Sequence, residues 1–132
     1  MRWLGLPVYT AALYTQGAAR FSWSQPDALE LQYLRSFPAR QLTKSTLDEL
    51  RRIEGPQGDH AALIAKLGRC FPDVGKGDRL TAYSSSASEV MFSFNGGAPC
   101  TVHHPGVRER FLGIWLSDNS RSAKLTRRLK GQ

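Results

Sequence analysis

Cysteine is scarce in this chain: Cys70 and Cys100 are the only two, 30 residues apart. Neither has a second cysteine nearby, which excludes a zinc knuckle and a C-x-x-C redox pair. The expected state is two free thiols, one of them buried as an ordinary small apolar side chain. A Cys70–Cys100 bridge is the alternative. Long apolar runs are missing as well. The longest uncharged stretch near the start, Trp3 to Ala19, is interrupted by Pro7, Gln16 and Gly17 and falls short of a membrane span. It has neither the uninterrupted apolar middle nor the small-residue cleavage site of a secretory signal, so no signal peptide is read in it. Histidine is limited to His60, His103 and His104. Neighbouring residues in an extended segment point to opposite sides, so His103 and His104 chelate poorly together, and Cys100 alone does not complete a site. No metal and no cofactor are expected, and the three histidines read as exposed loop residues. G-x-S-x-G and G-x-x-x-x-G-K-[ST] are both absent. Ser84 to Ser88 therefore reads as a polar loop, and Gly75 to Arg79 as a link between a helix and a strand.

What remains is the composition of one globular domain spanning residues 1–132, 41% hydrophobic and 22% charged. The net charge is +7, and acids are missing after Asp118, where Arg121, Lys124, Arg127, Arg128 and Lys130 accumulate. The run lacks the interleaved aromatics of single-strand binders, so nucleic acid is not an expected partner. A solvated terminal helix with cations at its negative end accounts for it. An interaction module for an anionic partner is the competing reading.

The apolar pattern changes period along the chain. Leu6 to Thr15 reads as a strand, and Phe21 to Trp23 as a short extended piece. Ala28 to Leu34 alternates as a half-buried strand, with Leu29, Leu31 and Tyr33 on one face. Leu47, Leu50 and Ile53 then recur at helical spacing behind a cap at Thr43 or Ser45, and Gly55 to Gly58 ends that helix. A second helix is expected over residues 59–70 with Leu63, Ile64 and Leu67 inward. Residues 78–84 and 89–95 are expected to form a hairpin, with Leu80 and Ala82 alternating against Thr81 and Tyr83 on one arm, and Val90, Phe92 and Phe94 against Met91 and Ser93 on the other. Asn95-Gly96 is a strong turn signal, and residues 98–103 pair back behind it. Pro105 opens a third helix with Val107, Phe111, Ile114 and Trp115 as its stripe. A last helix covers residues 121–130. Hairpin-linked strands with grouped helices predict an α+β fold, an antiparallel β-sheet with helices packed on one face.

Five stretches in this order resemble the bacterial branch of the chalcone isomerase-like family. They are Arg2-Trp3-Leu4-Gly5-Leu6-Pro7-Val8-Tyr9-Thr10-Ala11-Ala12-Leu13-Tyr14, Leu29-Glu30-Leu31-Gln32-Tyr33-Leu34-Arg35, Lys76-Gly77-Asp78-Arg79-Leu80, Phe94-Asn95-Gly96, and Phe111-Leu112-Gly113-Ile114-Trp115-Leu116. The resemblance implies an open-faced sandwich with a ligand cleft between sheet and helices. Plant members cyclise chalcones to flavanones, whereas other members bind fatty acids without catalysis. The catalytic residues carry over poorly. Tyr9 stands where the isomerases have a first-strand Thr, with Thr10 beside it, Leu42 where they have a Tyr, and Gly113 near a further polar residue. The family's cleft Arg falls before Met1, which implies a strand absent from this chain or cut from it. Bacterial members are commonly exported, so a periplasmic location is implied if the chain has been cut. The expected function is non-catalytic binding of a small apolar or amphipathic ligand such as a fatty acid. Tyr9 is the expected polar anchor, with Thr10 beside it and Tyr33, Phe94 and Trp115 as wall. An isomerase or lyase using Tyr9 and Thr10 is the alternative.

Overall fold

The computed structural model describes residues 2–3, 6–7, 9–15, 27–116 and 129–130. Two short strands, β1 (Arg2–Trp3) and β2 (Leu6–Pro7), pair with each other. The main sheet is an antiparallel meander of β3 (Tyr9–Thr15), β4 (Asp27–Tyr33), β5 (Arg79–Ser86), β6 (Glu89–Phe94) and β7 (Cys100–His103), in that spatial order. Helices α1 (Ala39–Glu54) and α2 (His60–Gly68) lie between β4 and β5 in sequence, and α3 (Val107–Leu116) follows β7. This is the α+β sheet with helices on one face that the pattern predicts. The expected piece at Phe21 to Trp23 lies outside the described residues, as does the basic run from Arg121 to Arg128. Of the terminal helix only Leu129, half-buried against the core, and Lys130 are described.

Alternation along each strand decides which side chains the helices cover. The register aligns Leu13, Leu29, Ala82, Phe92 and Cys100 in one row across all five strands. Ala11, Leu31, Leu80 and Phe94 form the next row, and Tyr9 and Tyr33 the last. These residues point into the layer under the helices, where Leu50, Leu63, Leu67, Phe111 and Leu112 close the core. The opposite face carries Thr10, Glu30, Gln32, Arg79 and Thr101, and Tyr14 is 56% exposed on it.

Local chemistry sets the element ends. The β6–β7 turn takes positive φ at both Asn95 and Gly96, as a two-residue type I′ turn requires. Helix α1 starts at Ala39, four residues before the expected cap. Pro38 holds the N-cap position, and the Asp73 carboxylate accepts the Ala39 N–H at 2.6 Å. Thr43 is inside the helix, its hydroxyl donating to the Ala39 carbonyl. The buried stripe of α1 is accordingly Leu42, Thr46, Glu49, Leu50 and Ile53, and Leu47 sits beside it.

The expectation of free thiols is overturned. Cys70 and Cys100 form a disulfide with Cα atoms 5.5 Å apart. Pairing of β7 with β6 brings Cys100 into the inward row, beneath the chain that leaves α2. The bond closes a covalent loop around the hairpin, and Lys66 adds a second tie by donating to the His103 carbonyl at 2.9 Å.

Candidate functional site

Three of the five expected site residues meet under the helices. Tyr9 enters from β3, Tyr33 from the facing position of β4, and Trp115 from α3. Trp115 Nε1–H donates to the Tyr9 hydroxyl at 2.5 Å. The Tyr9 ring meets Tyr33 edge-on at 5.9 Å and Trp115 at 6.4 Å, and Tyr33 meets Phe37 at 6.2 Å. Trp115 continues the contact to Phe111, which touches Phe71 and Phe92. The result is one chain of seven rings through the layer, with edge-to-face and tilted geometries that aromatic quadrupoles favour. Phe94 faces the same side and stays half-buried. Thr10 does not join them. It follows Tyr9 on a strand, so its side chain points to the opposite, exposed face of the sheet.

Burial shapes the chemistry of the two phenols. Desolvation lifts Tyr9 far above an ordinary tyrosine; the Trp115 hydrogen bond opposes this, while Tyr33 and the Glu49 carboxylate reinforce it. Desolvation pushes Tyr33 up to about 12. Both are neutral phenols at physiological pH, suited to hydrogen bonding and not to acting as bases.

Glu49 is a buried carboxylate that the apolar stripe of α1 does not predict. It is 8% exposed on the inner stripe of α1, and Arg52 Nε donates to its Oε2 at 2.8 Å. Its place three residues after Thr46 and one before Leu50 is the signal that could have found it. Phe37 and Phe71, from the segments flanking the helix pair, were passed over as well because they lie in no periodic run.

A second polar constellation lies at the junction of α1, α2 and α3. The Arg110 guanidinium forks across two carboxylates, reaching Glu54 at 2.8 and 2.9 Å and Asp59 at 2.6 and 3.0 Å. His60 Nε2 lies 2.8 Å from Glu54, and His104 Nε2 lies 2.8 Å from Asp59. Lys66 Nζ donates to His104 Nδ1 at 3.0 Å, which leaves the His104 proton on Nε2, facing Asp59. Of the three histidines expected in exposed loops, only His103 is exposed; His60 and His104 are buried in this network. Asp59 occupies the N-cap position of α2 without capping it, because its carboxylate is engaged by Arg110 and His104. Those hydrogen bonds hold Asp59 well below the usual carboxylate range. Burial alone would raise Glu54, but hydrogen bonds from Arg110 and His60 outweigh it and the net shift is downward. Among the described residues, no three His, Cys, Asp or Glu side chains are arranged to hold a metal ion.

A family model described as chalcone isomerase-like matches residues 3–131. The chain belongs to the chalcone isomerase-like family. An uncharacterized protein of Haemophilus influenzae is 23% identical over 130 residues, covering 98% of this chain, which spans 64% of that relative's length. Among solved structures, a fatty-acid binding protein of Arabidopsis thaliana superposes with a TM-score of 0.69 at 10% identity, covering 99% of this chain and 82% of that one. At that identity the likeness is one of fold. Two positions singled out by comparison with plant isomerases offer no hydroxyl in this chalcone isomerase-like chain. Leu42 is half-buried on α1 against the core, and Gly113 is buried within α3.

Proposed function

We propose that this protein is a non-catalytic member of the family that holds a small amphiphile, with a single apolar chain, between sheet and helices. The observation that carries the reading is the composition of the layer around Tyr9. It is built from aromatic and aliphatic side chains, with the Tyr9–Trp115 hydrogen bond as its polar feature. Ala11 and Leu13 follow Tyr9 on the same face of β3 and remain half-buried, as does Phe94 on β6. Tyr9, Tyr33 and Trp115 form the polar end of the site in this reading, and these apolar side chains its wall. Cyclisation of a chalcone needs an anionic nucleophile directed at an enone and donors for the developing enolate. Thr10 on the far face, Leu42 and Gly113 supply none of these. The fatty-acid binding protein of the same fold supports a lipid-like ligand.

The Cys70–Cys100 disulfide supports placing the protein in an oxidising compartment such as a periplasm. Fractionation of the native source tests that placement, and recovery with reduced thiols from the cytosolic fraction counts against it. Native mass spectrometry of the purified protein, followed by titration with long-chain alcohols, acids and esters, tests the binding reading. Retention of a single-chain amphiphile at micromolar concentration is the expected result. A chain that binds none of them, or that turns over chalcones faster than buffer does, overturns it.

A further inference from the structure

Asp59 holds the N-cap position of α2, and Lys66 follows seven residues later on the same helix. Seven residues are two turns, so the two side chains share a face about 10 Å apart along the axis. The imidazole of His104, which follows β7, spans that gap. Lys66 Nζ lies 3.0 Å from its Nδ1, and its Nε2–H points to Asp59 at 2.8 Å. His104 is 7% exposed, so these two partners and not water set its tautomer. Arg110 holds the far end of the line by donating to both Asp59 oxygens, at 2.6 and 3.0 Å. Lys66 stays half-buried, and its Nζ also donates to the His103 carbonyl at 2.9 Å, so the amine is held in place at the edge of solvent. A base that touches the nucleophile, with a carboxylate orienting the base, is the arrangement that activates a hydroxyl or thiol in acyl transfer. Here an amine stands in the nucleophile's place. We propose that Lys66 is an acylation site, whose amine takes an acyl group from a thioester with His104 as its base and Asp59 as the positioning residue. The Lys66 nitrogen forms a bond to the acyl carbon, and the carbon–sulfur bond breaks. Of the two protons that the ammonium gives up, one passes to His104 Nδ1 and on to the thiolate, and the other goes to water. While His104 carries that proton, its Nε2–H faces the Asp59 carboxylate, which stabilises the imidazolium. The acylated nitrogen keeps a single N–H and no longer serves both His103 and His104, so the tie between α2 and the end of β7 loosens.

The test incubates the full, folded chain at neutral pH with a simple thioester, S-acetyl-N-acetylcysteamine, and maps acetyl-lysine over time by peptide mass spectrometry. Lys44 and Lys76, both exposed, are the internal references. Lys66 is expected to be acetylated roughly tenfold faster than either, although it is the less exposed amine. His104→Gln keeps an acceptor for the amine but cannot carry the proton, and is expected to bring Lys66 down to the reference rate or below. Asp59→Asn is expected to slow Lys66 less and to move its rise in rate to higher pH, an effect that loosened packing does not produce. In urea the advantage of Lys66 is expected to vanish. Lys66 reacting no faster than Lys44 and Lys76 in the folded wild-type chain overturns the proposal, as does an unchanged rate in His104→Gln. An advantage that persists in urea overturns it too, because it would belong to the local sequence and not to the relay. A pH profile that stays in place in Asp59→Asn overturns the role of Asp59. If neither variant folds, the wild-type comparison with and without urea decides. The outcome is independent of whether the aromatic layer around Tyr9 binds an amphiphile.

Discussion

Trp115 on the last described helix donates its indole N–H to the Tyr9 hydroxyl on β3, closing a contact across 106 residues of sequence. The bond joins the edge strand to the helix layer at the polar end of the proposed site. Tyr9→Phe removes the acceptor and keeps the ring, so the indole N–H stays buried without it. An acceptor deleted in this way costs about 1–3 kcal/mol. Trp115→Phe is expected to cost more, because it also removes packing area. In a double-mutant cycle followed by urea unfolding, the two changes are expected to couple by about 1 kcal/mol. Simple additivity would show that the hydrogen bond contributes nothing to stability.

The disulfide gives a prediction with a direct chemical assay. Both cysteines are consumed by one bond, so the native protein is expected to show no reactive thiol even in denaturant until a reductant is added. The bridge spans 30 residues, and a closed loop of that size restricts the unfolded chain by about 3–4 kcal/mol. The double substitution Cys70→Ala, Cys100→Ala is expected to lower the urea midpoint by that amount of stability. A free thiol in the unreduced protein would contradict the bond.

Much of the sheet was readable from residue order, because local rules decide it. Leu29, Leu31 and Tyr33 alternate inward as their spacing requires, and Asn95-Gly96 makes the turn its backbone preferences specify. The errors share a different cause, which is a partner distant in sequence. Asp73 supplies the first N–H acceptor of α1 from 34 residues away, so no nearby Thr or Ser is needed and the helix begins at Ala39. Asp59 holds the N-cap position of α2 and yet spends its carboxylate on Arg110, 51 residues later. His104 is buried because Asp59 and Lys66 receive it, neither within 30 residues. Of the residues expected at the site, Tyr9, Tyr33 and Trp115 face one layer, as their strand and helix patterns require. Thr10, expected beside Tyr9, follows it on the strand, and the period of two sends its side chain to the other face.

The Arg110 network predicts the acid limb of the stability profile. Glu54 and Asp59 both titrate below their ordinary values in the folded state. The unfolded chain binds protons on these groups first, near pH 4, so their contribution is complete above about pH 5. It is lost as pH falls through the lower folded-state values. Arg110→Leu removes the main donor to both carboxylates and is expected to shift the acid-unfolding midpoint upward. Glu109→Leu, one position earlier on an exposed site of α3, serves as the control and is expected to leave it in place. An acid midpoint that does not respond to Arg110→Leu would remove the network from the account of acid stability.

The buried phenols predict the opposite limb, with the opposite sign. Tyr33 is raised to about 12 and Tyr9 further still, chiefly by desolvation. Between the unfolded-state value near 10 and these folded-state values, the native protein holds protons that the unfolded chain has released. Stability is therefore whole below about pH 10 and declines above it, by about 1.4 kcal/mol per pH unit for each such group. Ultraviolet difference absorbance of tyrosinate, recorded with circular dichroism through an alkaline titration, is expected to show Tyr9 and Tyr33 ionising only as the fold is lost. Tyr33→Phe removes one of the two groups and should make the decline shallower by one group's share. If both phenols ionise near pH 10 while the circular dichroism stays native, the site around Tyr9 is open to water in solution.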